Sequence, residues 1–278
     1  MKNDSFSATW VSHSSISDFL KCPKAYYLHN VYKNPQTRNK IALINPPMAL
    51  GQTVHEVLES LSTLPVDVRF NAPLLDKYNE VWEKVSGKKG GFKSKELEEA
   101  YKDRGRIMLQ RVIDKPGPLA NKAVIIRVSD PSFPLPKYYI SKEQNIILCG
   151  KIDWMEYIPE TDSVHIIDFK TGKQEEDPNS LQLAIYCLLV QNLQKRKIHK
   201  VSYWYLDRDN EIREMQIPDL TEAKNRIIDI ALRIKTAKAN RNFECAKNGC
   251  YACKPYLAII NGEAEYVGKT DYQDVYVI

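Results

Sequence analysis

The 278-residue sequence has no run of 18 or more apolar residues, so no membrane-spanning helix is expected. Met1 to Trp10 lacks the basic start and apolar stretch of a secretory signal. A cytoplasmic location is the expectation, and with it reduced thiols rather than disulfides. No Gly-x-x-x-x-Gly-Lys-Ser/Thr phosphate loop is present. Internal repeats and low-complexity tracts are absent too, which excludes a solenoid architecture. Flexible sequence is confined to one basic stretch, Ser86-Gly-Lys-Lys-Gly-Gly91. The net charge is only +5, compatible with a phosphate-bearing partner without demonstrating one.

What is present is an ordinary globular composition, 43% hydrophobic and 27% charged, in a chain long enough to bury a substantial core. Helical periodicity covers residues 14–32, capped by Ser15 or Ser17, and then 48–64, 74–85 and 95–113. Pro116-Gly-Pro118 closes this helical region. Residues 123–128, 138–141, 146–157 and 163–169 are rich in Ile, Val and Tyr and read as strands. The turn at 159–162 joins the last two into a hairpin. Helix is expected again at 180–194, strands at 200–206 and 212–217, and a long amphipathic helix at 220–240. This order predicts one α/β domain over 1–278, with a central mixed sheet of about four strands flanked by helices. A helical insertion is expected over about 65–118, and a cysteine-containing C-terminal segment over 241–278.

The residues suited to chemistry lie in the middle. Gly150-Lys-Ile-Asp153 follows an apolar strand, and Asp168-Phe-Lys170 ends the next one. Residues two apart on a strand share a face, so Asp168 and Lys170 are neighbours. Hairpin pairing lets Asp153 reach the same spot. Two carboxylates beside a lysine suit phosphodiester hydrolysis assisted by a hard metal. Mg²⁺ prefers oxygen ligands, polarises a phosphate and lowers the pKa of bound water. The lysine can orient or deprotonate that water, or neutralise charge growing on the phosphate. Taken alone, Asp-x-Lys is more often a strand-end ion pair worth little. His55, upstream on a helix, is a candidate further ligand, although a lone helix histidine is commonly an edge-of-core residue. Gln182 and Tyr186 are four apart on one helix face, where both can hydrogen-bond phosphate or the carboxylates.

Taken in order, these pieces resemble the PD-(D/E)XK nuclease superfamily, specifically its RecB-like branch. That branch includes the nuclease domains of recombination helicase–nucleases and the small nucleases of CRISPR adaptation. The matching elements are a Ser-x-Ser start with Cys22-Pro-Lys-Ala-Tyr26-Tyr, then Gly51-x-x-x-His55 and Gly150-x-x-Asp153. Asp168-x-Lys170-Thr-Gly172 and Gln182-x-x-x-Tyr186 complete the series. The resemblance implies a restriction-endonuclease-like core. It implies that His55, Asp153, Asp168 and the main-chain carbonyl of Phe169 bind Mg²⁺ or Mn²⁺, with Lys170 as catalytic lysine. Gln182 and Tyr186 would support the site and the DNA. An Asp rather than Glu before the lysine is a variant that this branch shares. The implied activity is hydrolysis of DNA, single-stranded or at duplex ends, in repair, recombination or CRISPR adaptation. A helicase or an adaptation complex is the implied partner. The rival reading is a non-catalytic DNA-binding subunit of such a complex, which would have no need of Asp153, Asp168 and Lys170 together. An RNA substrate fits the same chemistry, although nothing reads a 2′-hydroxyl in a recognisable way. Lys88, Lys89, Lys93 and Lys95 could track a nucleic-acid backbone, and equally suit a solvated loop.

Six cysteines are present. Cys149 and Cys187 lie in apolar runs and read as buried core thiols. Some members of the branch carry a [4Fe–4S] cluster held by one cysteine before the nuclease core and three after it. Here Cys22 matches the first position and Cys250-Tyr-Ala-Cys253 the paired ones. The usual last cysteine is missing from 257–260, and Cys245 stands before the pair instead. The resemblance implies a [4Fe–4S] cluster on Cys22, Cys245, Cys250 and Cys253, with Zn²⁺ ranked behind it. Either group would staple residues 14–32 to 243–256.

Overall fold

Strand β1 (Thr9–Val11) leads into helix α1 (His13–Lys21), which starts at a capping box. Ser12 and Ser15 exchange side-chain and main-chain hydrogen bonds there, so the cap is Ser12 rather than Ser15 or Ser17. The computed structural model describes residues 7–70, 73–128, 133–270 and 272–278. The single helix expected over 14–32 is broken at Cys22, whose backbone is extended (φ −167°, ψ 117°). Pro23 is the cause, since a proline ring drives the preceding residue out of the helical region. Pro23 then opens α2 (Pro23–Tyr26), which runs on into a π-helical turn at Tyr27–Val31.

Between the first two helical stretches lies β2 (Lys40–Leu43). Asn45 caps α3 (Pro46–Ser60), and α4 (Leu74–Trp82) and α5 (Lys95–Asp114) follow. The stretch between α4 and α5, expected to be flexible, is instead a tight turn. The Glu98 carboxylate accepts hydrogen bonds from Trp82 Nε1 (3.0 Å), Ser86 Oγ (2.8 Å) and the Gly87 amide (3.0 Å). Lys88 also lies there, 2.7 Å from Glu265.

The strand region comprises β3 (Lys137–Ser141), β4 (Ile146–Cys149), β5 (Trp154–Ile158) and β6 (Ser163–Lys170). Then come α6 (Gln182–Leu193), β7 (Lys197–Tyr205), β8 (Arg213–Met215) and α7 (Leu220–Ala239). Two expectations fail here. Residues 123–128 form no strand; Ala123 makes only an isolated bridge to Glu156. Residues 146–157 are two strands in different sheets, broken at 150–153. At Gly150 the chain passes close to α6, where a Cβ would lie 3.2 Å from Leu189 Cδ1. The chain closes with α8 (Lys254–Ile260), β9 (Glu265–Lys269) and β10 (Gln273–Val277).

The central sheet has the order β5-β6-β7-β8 and is mixed. β5 and β6 form the expected antiparallel hairpin, β6 and β7 run parallel, and β8 returns antiparallel. Helix α6 makes the crossover that the parallel pair requires. Leu183 to Val190 on α6 are all buried, as suits a helix with protein on every side. One face of the sheet, with Val164, Ile166 and Val201, packs with α6 and α7. The other, with Ile167, Phe169 and Trp204, packs with α3, α4 and α5. Two smaller sheets, β1-β4-β3 and β2-β10-β9, complete the architecture. Among the described residues no helix is long and apolar enough to cross a membrane. Cys149 and Cys187 are buried, as their apolar surroundings predicted.

Candidate active site

The hairpin register decides where the acids go. Trp154 pairs with Ile167 in the β5–β6 ladder, so Asp153 and Asp168 lie one step beyond that pair, at its open end. Asp153 Oδ2 accepts the Phe169 main-chain N–H at 2.9 Å and lies 3.3 Å from His55 Nδ1 on α3. Glu59, one helical turn after His55, brings Oε1 to 4.0 Å from the same nitrogen. His55, Glu59 and Asp153 each offer a ligand atom within 4.8 Å of the others. Glu59 is also ion-paired with Lys151. Sequence reasoning named His55 and passed over Glu59, although a spacing of four on a helix puts both on one face.

Asp168 is fully buried and faces a second group. Gln182 Nε2 donates to Asp168 Oδ1 at 2.5 Å, and lies 3.2 Å from the Tyr186 hydroxyl. Lys170 Nζ lies 2.9 Å from Asp168 Oδ2, 2.6 Å from Glu176 Oε2, and donates to Gln182 Oε1 at 2.5 Å. Its ammonium also sits 4.9 Å from the centre of the Tyr203 ring. Glu176, in the loop between β6 and α6, carries no motif and was invisible in the sequence. Phe169 turns its ring to the opposite face of the sheet from Asp168, 6.1 Å from the His55 ring. The structure thus gathers Asp168, Lys170, Gln182 and Tyr186 into one network and His55 with Asp153 into an adjoining one.

Glycines hold these pieces together. A Cβ on Gly51 would lie 3.1 Å from Thr171 Oγ1, so the bare glycine lets the end of β6 approach α3 closely. Beside the acids opens a cleft of about 410 Å³, lined in part by Glu56, Glu59, Lys151 and Asp153.

Burial, reinforced by the charge of Asp153, pushes the Asp168 carboxyl up to about 7. Burial alone would pull the Lys170 ammonium down, but Asp168 and Glu176 outweigh it and hold the group above the ordinary lysine value. Lys170 is therefore held as a cation and hydrogen-bond donor between Asp168 and Glu176. His55 behaves likewise: burial lowers it, Asp153 outweighs burial, and the imidazole ends above its usual value.

The donors suit a hard divalent ion. Asp168 Oδ2 is buried and accepts no well-directed hydrogen bond among the described residues, although Lys170 lies close to it. Carboxylate oxygens with one imidazole nitrogen are ligands that Mg²⁺ and Mn²⁺ accept.

The sequence profile of the PD-(D/E)XK nuclease superfamily matches residues 10–255. The chain belongs to the PD-(D/E)XK nuclease superfamily. Its mixed sheet flanked by helices is the restriction-endonuclease-like core of that superfamily, and its activity class is hydrolysis of nucleic acid. No curated protein matches the chain. Among solved structures it is similar to a crystal structure described as a "putative exonuclease" of Eubacterium rectale. Identity is 15%, the match covers 94% of this chain and 90% of the other, and the TM-score is 0.48. A likeness that distant assigns nothing to this PD-(D/E)XK protein.

Proposed function

We propose that this protein is an Mg²⁺- or Mn²⁺-dependent deoxyribonuclease acting on single-stranded DNA or duplex ends. The observation that carries the reading is the meeting of Asp153 and Asp168 at the open end of the β5–β6 hairpin, with Lys170 2.9 Å from Asp168. His55, Asp153, Asp168 and the Phe169 carbonyl would hold the ion, and Glu59, grouped with His55 and Asp153, lies close enough to join them. A divalent ion in such a site supplies Lewis-acid polarisation of the scissile phosphate and a more acidic water.

The protein's own groups do the rest. Lys170, kept charged by Asp168 and Glu176, donates to the developing negative charge on the phosphate and orients the attacking water. Gln182 contacts both Asp168 and Lys170, so it fixes their separation. Tyr186 steadies Gln182. The cleft beside Asp153 admits the strand. Placement beside a helicase or in an adaptation complex rests on the resemblance alone.

The experiment incubates end-labelled single-stranded DNA, blunt duplex and RNA of the same sequence with the protein. Each is run with Mn²⁺ or with chelator. Cleavage of DNA with Mn²⁺ and none with chelator is expected, with a loss of about 100-fold or more in Lys170→Ala. No cleavage with any metal would favour the binding-subunit reading. A Lys170→Ala variant as active as the parent would contradict the role given to that lysine.

A further inference from the structure

The four cysteines of the two chain ends meet at a place that phosphodiester chemistry does not use. Cys22 sits at the Pro23-enforced break between α1 and α2, while Cys245, Cys250 and Cys253 lie between α7 and α8. All four sulfurs lie within 4.8 Å of one another, and Cys250 Sγ is 3.8 Å from Cys253 Sγ. Cys22 and Cys253 are buried, and Ala25, Ala252 and Leu257 close around the group.

That spacing separates the two metal centres such a set could hold. Four thiolates around one ion at a Zn–S distance of about 2.3 Å form a tetrahedron with an edge of about 3.8 Å. In a [4Fe–4S] cube each thiolate binds a different iron at alternate corners, with the cube itself between them. The sulfurs of a cube stand wider apart than the 4.8 Å within which these four lie, so their spacing matches a single ion rather than the cluster implied by the resemblance.

The backbone around the sulfurs points the same way. Main-chain amides of Lys24 and Ala25 face Cys22, those of Lys247 and Gly249 face Cys245, and those of Ala252 and Cys253 face Cys250. Amides two to four residues downstream, aimed at sulfur, turn these side chains toward a shared point. The tight turn at Asn248–Gly249, with φ of 46° and 129°, folds Cys245 back toward Cys250. Together these make three cysteine turns converging on one point.

We propose that Cys22, Cys245, Cys250 and Cys253 bind a single tetrahedral Zn²⁺ ion in place of an iron–sulfur cluster. The ion clips the α1–α2 break to the segment that carries α8. Beyond α8 the chain enters β9 and β10, and β10 pairs with β2, so the clip also secures the small sheet. It takes no part in the reaction, and stands or falls independently of the nuclease reading.

The test is metal and sulfide analysis of full-length protein, purified anaerobically from cells grown with both iron and zinc in excess. About one zinc per chain, no acid-labile sulfide and a colourless solution are expected. Cys250→Ser should lose the zinc, while Cys149→Ser, outside the group, should keep it. If Cys250→Ser does not fold, mercurial titration of the parent serves in its place. One zinc should then be released, as read by a chelating dye, in step with modification of four thiols. Iron, with or without sulfide, or the absence of any bound metal, would overturn the assignment.

Discussion

The state of Asp168 depends strongly on its surroundings. Its carboxyl is raised to about 7 by burial and by Asp153, so the folded, metal-free protein binds a proton there that the unfolded chain has already released. Between about pH 4 and pH 7 the native state is therefore the more protonated one, and stability falls as pH rises through that window. Asp168→Asn cannot ionise. It should melt at a higher temperature than the parent at pH 8 without metal, near the parent's temperature at pH 5, and be inactive in Mn²⁺. Thermal melts of both proteins at the two pH values check this, and an Asn variant less stable than the parent at pH 8 would contradict the assigned strain. Asp153, Asp168 and Lys170 were legible in the sequence because a period of two and a short turn fix a hairpin's register. Glu176 was not, because a loop acid carries no period.

Among the elements, the α4–α5 pair shows how local sequence becomes packing. Gly105 on α5 faces the Tyr78 hydroxyl, which donates to the Lys102 carbonyl at 3.0 Å. A Cβ at Gly105 would lie 2.1 Å from that oxygen. Gly105→Ala should therefore destabilise the protein by about 1–3 kcal/mol, the usual cost of overpacking. Tyr78→Phe in the same chain should return part of it by removing the colliding atom. Urea unfolding of the single and double variants measures both, and an unaffected Gly105→Ala would count against this contact. The helices of this pair were readable from their apolar stripes. The turn between them was not: its glycines and lysines spell flexibility, and only the distant Glu98 carboxylate makes it rigid. The run 146–157 misled in the opposite way. It reads as one apolar stretch because β4 is buried throughout and β5 opens on the buried Trp154 and Met155, and only the polar interruption at Gly150-Lys-Ile-Asp153 hints that they serve different sheets.

At the scale of the whole molecule, the longest-range pairing was the least legible. β2 and β10 are joined in parallel across almost the full chain, Lys40 opposite Gln273, and no local pattern announces such a partner. The central mixed sheet could be anticipated because its strands, turn and crossover helix follow one another closely. That sheet unites the site: β6 contributes Asp168 and Lys170, the residue before β5 contributes Asp153, α3 contributes His55, and α6 contributes Gln182 and Tyr186. The measurement closest to the central claim is a Mn²⁺ titration followed by electron paramagnetic resonance, on the parent and on Asp153→Ala and Asp168→Ala. Saturable Mn²⁺ binding in the parent, lost or weakened at least about tenfold in both variants, is the predicted result. Parent and variants binding Mn²⁺ alike, or a parent that binds none, would contradict it.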